Sequence, residues 1–167
     1  IPLGDTIPAD TTDTVIITPP VTLPQCSLCN PVDEIVTGQW SFKTGNSYAC
    51  GSFTAAGFIG GNSKTNFTFF GPTACSVDTG IVVSVYLPVP LDQDRFQLST
   101  SNTAFFYYNH YGTKDIFASR STIPFTVTVT SFISATGILT GKFGCTVFTA
   151  NGDTAFFTEV RFKANHH

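Results

Sequence analysis

Apolar and polar positions alternate along most of this chain. In "PFTVTVTSF", Phe125, Val127 and Val129 fall on one side and Thr126, Thr128 and Thr130 on the other. That is the period of two expected of a strand with one buried face. The same character recurs over residues 34 to 43, 47 to 58, 65 to 70, 79 to 87, 94 to 99, 103 to 109, 115 to 119, 124 to 131, 136 to 150 and 154 to 164. Each segment is rich in Val, Ile, Thr, Phe and Tyr and is bounded by Gly, Asn, Asp or Pro, the punctuation of strands joined by turns. No segment holds a helical period. The expectation is an all-β fold, an antiparallel β-sandwich (Ig-like or jelly-roll-like) in preference to a closed barrel.

The sharpest local prediction is a C-terminal hairpin. Asn151-Gly152 divides "TGKFGCTVFTA" from "DTAFFTEVRFKA", and both residues tolerate the positive φ that a two-residue hairpin turn needs. On the return strand, strict alternation puts Phe156, Val160 and Phe162 on one face and Glu159, Arg161 and Lys163 on the other.

Residues 1–33 read differently, as an extended tail ahead of a domain at 34–167. Five prolines lie within residues 1 to 24, all outside "TDTVIIT". This composition predicts a polyproline-like linker that carries one candidate donor strand, residues 13–18. Val15, Ile16 and Ile17 are the apolar triplet such a strand could insert at a sheet edge. If that edge belongs to another copy of the chain, the contact is head-to-tail and builds a filament.

Composition narrows the setting. The chain has 167 residues, 42% hydrophobic, 14% aromatic and only 11% charged, against about 25% charged in ordinary soluble proteins. This suits one well-buried domain with an appendage, of extracellular character. The net charge is -3, without any Lys/Arg cluster, which argues against nucleic acid or an anionic membrane as partner. No apolar run approaches the roughly 18 residues of a membrane span. Met is absent and Ile1 opens the chain, so a processed product is expected.

Cys26, Cys29, Cys50, Cys75 and Cys145 are disulfide candidates in such a chain. The expected pairing is Cys50 with Cys75, with Cys26 or Cys29 bonded elsewhere and one thiol left over. Cys26 and Cys29 also form a C-x-x-C. Zinc would need a second ligand pair, and redox chemistry would need a helix start to activate a thiol. Pro31 and a strand follow instead.

Candidate chemistry is thin. Asp33 with Glu34, and Asp92 with Asp94, show no facing carboxylate for glycoside hydrolysis; the second pair would suit a calcium loop or a solvated turn. His110 has no identifiable nucleophile beside it. Around it stand Phe105, Phe106, Tyr107, Tyr108 and Tyr111. These make either a strand buried on both sides or an exposed aromatic surface, with Tyr107, Tyr108 and Tyr111 as candidates for stacking on glycans. No catalytic residue, cofactor or metal is expected.

The succession "DRFQLST", "TAFFYYN", "IPFTVTVTSF" and "ATGILTGKFGCTVFTANGDTAFFTEVRFKA" resembles, over about residues 35 to 164, secreted β-sandwich lipoproteins of unknown function from Bacteroidota. The lipid-bearing Cys of those proteins has no counterpart at Ile1. The resemblance implies secretion and a sandwich, and it transfers no catalytic residue. Asp-Thr-apolar triplets at Thr6, Thr11, Thr14 and Thr154 are similar to the O-glycosylation acceptors of the same bacteria. Asn66-Phe67-Thr68 is an N-glycosylation triplet. The function expected from all this is a non-enzymatic extracellular structural protein, a filament or fibre subunit assembled by strand exchange. The alternative is a monomeric glycan-binding or adhesion module.

Overall fold

Eleven antiparallel strands form in a computed structural model that describes Leu23 and residues 26–31, 34–109 and 114–166, with main chain alone at 114 and 115. They are β1 (Gln39–Thr44), β2 (Ser47–Ser52), β3 (Phe58–Gly60), β4 (Asn66–Thr73), β5 (Ser76–Tyr86), β6 (Arg95–Thr100), β7 (Thr103–Asn109), β8 (Lys114–Ala118), β9 (Val127–Ile133), β10 (Ile138–Phe148) and β11 (Thr154–Asn165). The alternation did its work locally. Phe125, Val127 and Val129 are buried, while Thr126, Thr128 and Thr130 face outward, where Thr128 bonds Ser99 at 2.8 Å.

The strands close on themselves, which corrects the expected sandwich. Hydrogen-bonded neighbours run β11-β1-β2-β4-β5-β7-β8-β10, and β10 pairs again with β11. This is a barrel of eight strands. Inward and outward residues alternate identically in a sandwich and a barrel, so the sequence pattern does not distinguish them; the double pairing of β11 does. β3 adds to β4. β9 leaves β10 after Phe143 and carries β6 as an outer flap.

Two features of the C-terminal hairpin also differ from expectation. The turn is longer than two residues. Gly152 N–H donates to Thr149 at 3.0 Å, Thr149 N–H donates to Asp153 at 2.8 Å, and Gly152 takes the positive φ, +90°. This is the longer hairpin loop with a left-handed glycine. Further along, β11 gains one residue relative to both its neighbours, between Ser41 and Lys43 of β1 and between Phe143 and Cys145 of β10. Glu159 sits in this bulge at φ +52°. The inward phase therefore slips: Phe157, Val160 and Phe162 are buried, while Phe156 is 63% exposed.

The interior is filled with rings. Trp40, Phe42, Phe67, Phe69, Phe105, Phe117, Phe157 and Phe162 are fully buried. Phe69 and Phe162 approach to 4.7 Å between centroids, and Phe105 and Phe117 each meet Phe157 edge-on at 5.5 Å. Each buried Phe contributes roughly 1.5–3 kcal/mol by leaving water. These rings fill the centre of the barrel.

His166 packs against Phe58 at 5.5 Å and Phe132 at 6.1 Å, and its backbone N–H donates to the Gly137 carbonyl.

Candidate functional site at the barrel mouth

One end of the barrel carries the β1–β2, β4–β5 and β10–β11 turns. Over it lies a strap, residues 26–31, which makes a tight turn where Cys29 N–H donates to Cys26 at 3.1 Å. Two disulfides pin the strap: Cys26 to Cys75 in the β4–β5 turn, and Cys29 to Cys50 on β2. The expected Cys50–Cys75 bond does not form. The C-x-x-C instead spans a thin seam of the wall, where β2 meets β4 at the single pair Gly51 and Thr73. Both cysteines of that motif are thus bonded to partners outside it. Cys145 is the fifth cysteine, free and buried.

Beneath the strap is a cavity of about 450 Å³, lined by Leu23, Ala49, Tyr107, Ile116, Thr73, Thr79, the four bonded cysteines, Tyr48, Ser76 and Asn109. Its walls are mainly carbon and sulfur. The polar exception is a line of hydroxyls. Thr73 Oγ1 donates to the Ser76 carbonyl at 2.9 Å and lies 2.8 Å from Thr79 Oγ1. Burial holds the Tyr107 phenol above its usual 10.0, and the neighbouring Thr79 hydroxyl partly opposes this. Tyr107 is thus a neutral hydroxyl at physiological pH.

The aromatic cluster divides between the two faces of β7. Phe105 and Tyr107 point inward and are buried, so Tyr107 is not part of an outer stacking surface. Tyr108 points outward, half-buried, with its ring over Gly80. Phe106 stands in an outer row with Val82 and Phe70 on adjacent strands. His110 and Tyr111 lie outside the described residues, as do Asp33, Val15, Ile16, Ile17, Thr6, Thr11 and Thr14. Thr154 is exposed at the start of β11. Asn66 opens β4, half-buried.

The two aspartates proposed for calcium are engaged within the protein. Asp92 bonds Arg95 at 3.0 Å, and Asp94 accepts from the Ser134 N–H at 2.7 Å and hydroxyl at 2.8 Å. The Ser134 bonds hold the Asp94 carboxyl below its usual value. Among the described residues, no three His, Cys, Asp or Glu groups converge as a metal site, and no helix is long and apolar enough to cross a membrane.

Sequence reasoning missed Leu23, Ala49, Thr73, Thr79 and Ile116. Leu23 precedes the strap and the other four come from four separate strands, and no local spacing marks them. No family model matches this chain, and neither the curated proteins nor the solved structures include a match.

Proposed function

We propose that this chain is a non-enzymatic extracellular binding protein that takes a small, largely apolar molecule into the mouth of its barrel. The observation that carries this reading is the roughly 450 Å³ cavity at one end of an otherwise ring-filled interior. Eight-stranded barrels are wide enough to hold one small ligand, and cavities of this size with apolar walls and a few polar groups are the usual form of a small-molecule site. The two disulfides fit an oxidising compartment.

The filament reading needs a sheet edge open to Val15, Ile16 and Ile17 of another copy. A closed barrel removes most edges. β6, which pairs only with β9 among the described strands, is kinked by Gln97 at φ +52°, a device that discourages strand addition. The glycan reading rests on Tyr107, Tyr108 and Tyr111; of these Tyr107 faces the mouth and Tyr111 lies outside the described residues, which leaves Tyr108 on the outer face. The geometry therefore favours the cavity.

Titration with the fluorophore anilinonaphthalene sulfonate tests the proposal. Ile116→Trp, which fills the mouth, should weaken binding at least about tenfold, whereas Ile123→Trp, on the exposed surface, should leave it unchanged. Equal affinity in both variants and the native protein would remove the cavity as the binding site.

A further inference from the structure

The strap over the mouth is fastened by its cysteines. Within residues 26–31 Cys26 and Cys29 are buried, while Ser27, Leu28, Asn30 and Pro31 are exposed. Among the described residues its one backbone hydrogen bond is internal, from the Cys29 N–H to the Cys26 carbonyl at 3.1 Å, and no strand pairs with it. Leu23 ahead of it and Ile35 after it add buried side chains. The strap itself is held at two covalent points, Cys26 to Cys75 and Cys29 to Cys50, and all four of these cysteines line the mouth cavity.

The two points are also chemically linked. The bond from Cys29 to Cys26 closes a four-residue turn, whose first and last Cα atoms lie within about 7 Å, close enough for a disulfide between them. Cys75 is exposed in the β4–β5 turn, whereas Cys26 and Cys29 are buried, so an outside thiolate meets the Cys75 sulfur first. We propose that the strap is a redox latch, in which one dithiol reductant entering at Cys75 releases both tethers and opens the mouth. Its attack forms a mixed disulfide on Cys75 and expels Cys26 as a thiolate. The second thiol of the reductant then breaks the mixed disulfide, leaving Cys75 as a thiol and the reductant as its own disulfide. Cys26 attacks the Cys29 sulfur, forms Cys26–Cys29 and expels Cys50, which takes up a proton. In sum two electrons and two protons pass from the dithiol to Cys50 and Cys75. The protein exchanges two bonds to the barrel for one bond inside the strap. Entry at the half-buried Cys50 runs through Cys29 to Cys26 and ends at the same product. An oxidising medium keeps the mouth closed, and a dithiol unloads it. The unloading rests on the mouth-cavity reading; the exchange of bonds does not.

Treating the full chain with one molar equivalent of dithiothreitol, then with iodoacetamide, and mapping the peptides without reduction tests the exchange. The expected map joins Cys26 to Cys29 and finds Cys50 and Cys75 alkylated. Alkylated Cys26 beside an intact Cys29–Cys50 bond, or a mixture of untouched and wholly reduced molecules, would overturn it. Cys29→Ser with Cys50→Ser removes the acceptor, so the same treatment should alkylate Cys26 and Cys75; an intact Cys26–Cys75 bond there would remove Cys75 as the point of entry. Opening is read from the dissociation of anilinonaphthalene sulfonate, which should quicken about tenfold after treatment. The near-ultraviolet circular dichroism of the buried Trp40 should stay native, and its loss would mean that the barrel had unfolded rather than the strap lifted, which overturns the latch. Unchanged dissociation from protein that carries the Cys26–Cys29 bond would overturn the latch while the cavity reading stands. If the dye binds the native protein and Ile116→Trp alike, the cavity reading falls, and the peptide map still decides the exchange.

Discussion

The rings of Phe42 and Phe157 stack at the centre of the barrel, with centroids 4.4 Å apart and planes 17° from parallel. They meet because the bulge at Glu159 turns Phe157 inward. Without the extra residue, strict alternation from Val160 and Phe162 would bury Phe156 and expose Phe157. A left-handed non-glycine residue carries a backbone cost of about 1 kcal/mol or more, and here it secures the register of both β1 and β10. Glu159→Gly should stabilise the fold by up to about 1 kcal/mol, because glycine adopts this conformation freely. Glu159→Val should destabilise it by at least about 1 kcal/mol, since a β-branched side chain suits that conformation worst. Urea unfolding midpoints measure both, and a neutral Glu159→Val would rule out the left-handed bulge.

That bulge also shows where the sequence stops being legible. The segment "TAFFTEVRFKA" alternates on either side of it, and the two halves are out of phase. Nothing in the residue types chooses between a uniform strand that buries Phe156 and a bulged one that buries Phe157; both are phenylalanines. The choice is made by the neighbours on each side, which hold the Phe42 ring and the register of Cys145.

Trp40 lies directly opposite Gly51, and a Cβ at Gly51 would fall on the Pro72 carbonyl oxygen and the indole ring. Neither can retreat: the carbonyl is backbone, and the indole is fully buried. Gly51→Ala should therefore destabilise the protein by about 1–3 kcal/mol, the usual penalty for overpacking. Chemical denaturation beside Gly45→Ala, where a Cβ meets open space but φ is +58°, separates crowding from backbone strain. Near-ultraviolet circular dichroism should report the displaced Trp40 in the first variant alone.

The two disulfides close nested loops, with sequence separations of 49 for Cys26–Cys75 and 21 for Cys29–Cys50. On loop-closure entropy, removing the inner bond by Cys29→Ala with Cys50→Ala should cost about 3 kcal/mol, and removing the outer bond by Cys26→Ala with Cys75→Ala about 4 kcal/mol. Because the loops share chain, losing both should cost less than the sum. Peptide mapping of the unreduced protein should recover these two pairs. A Cys50–Cys75 peptide would overturn the connectivity and the strap with it.

Cys145 is free and buried in the barrel wall, and desolvation pushes its thiol up to about 12 from 9.0. The folded protein therefore keeps this proton at pH values where the unfolded chain releases it. The associated stability is fully present below about pH 9 and is lost progressively as pH rises toward 12, by roughly 1.4 kcal/mol per pH unit. Unfolding measured between pH 8 and 11 should show this slope in addition to that of other groups, and Cys145→Ala should flatten it. In the native state at pH 8, the thiol should resist a soluble thiol reagent until the protein unfolds. Rapid native labelling would mean that Cys145 is accessible.

By itself, the sequence determined the strands. Their alternation, their turn residues and the dearth of charge are local properties, and each segment from Gln39 to Asn165 carries its own. The tertiary structure alone decided that the sheet closes, because closure depends on β11, already paired with β10 in the hairpin, meeting β1 across more than a hundred residues of chain. It also decided which cysteines meet, since Cys26 and Cys75 approach only when the strap crosses the mouth. The contact of Thr73 with Thr79 is of the same kind. Two hydroxyls on two strands mean nothing in sequence order, and only folding brings them 2.8 Å apart, with the Thr73 hydroxyl 2.9 Å from the Ser76 carbonyl.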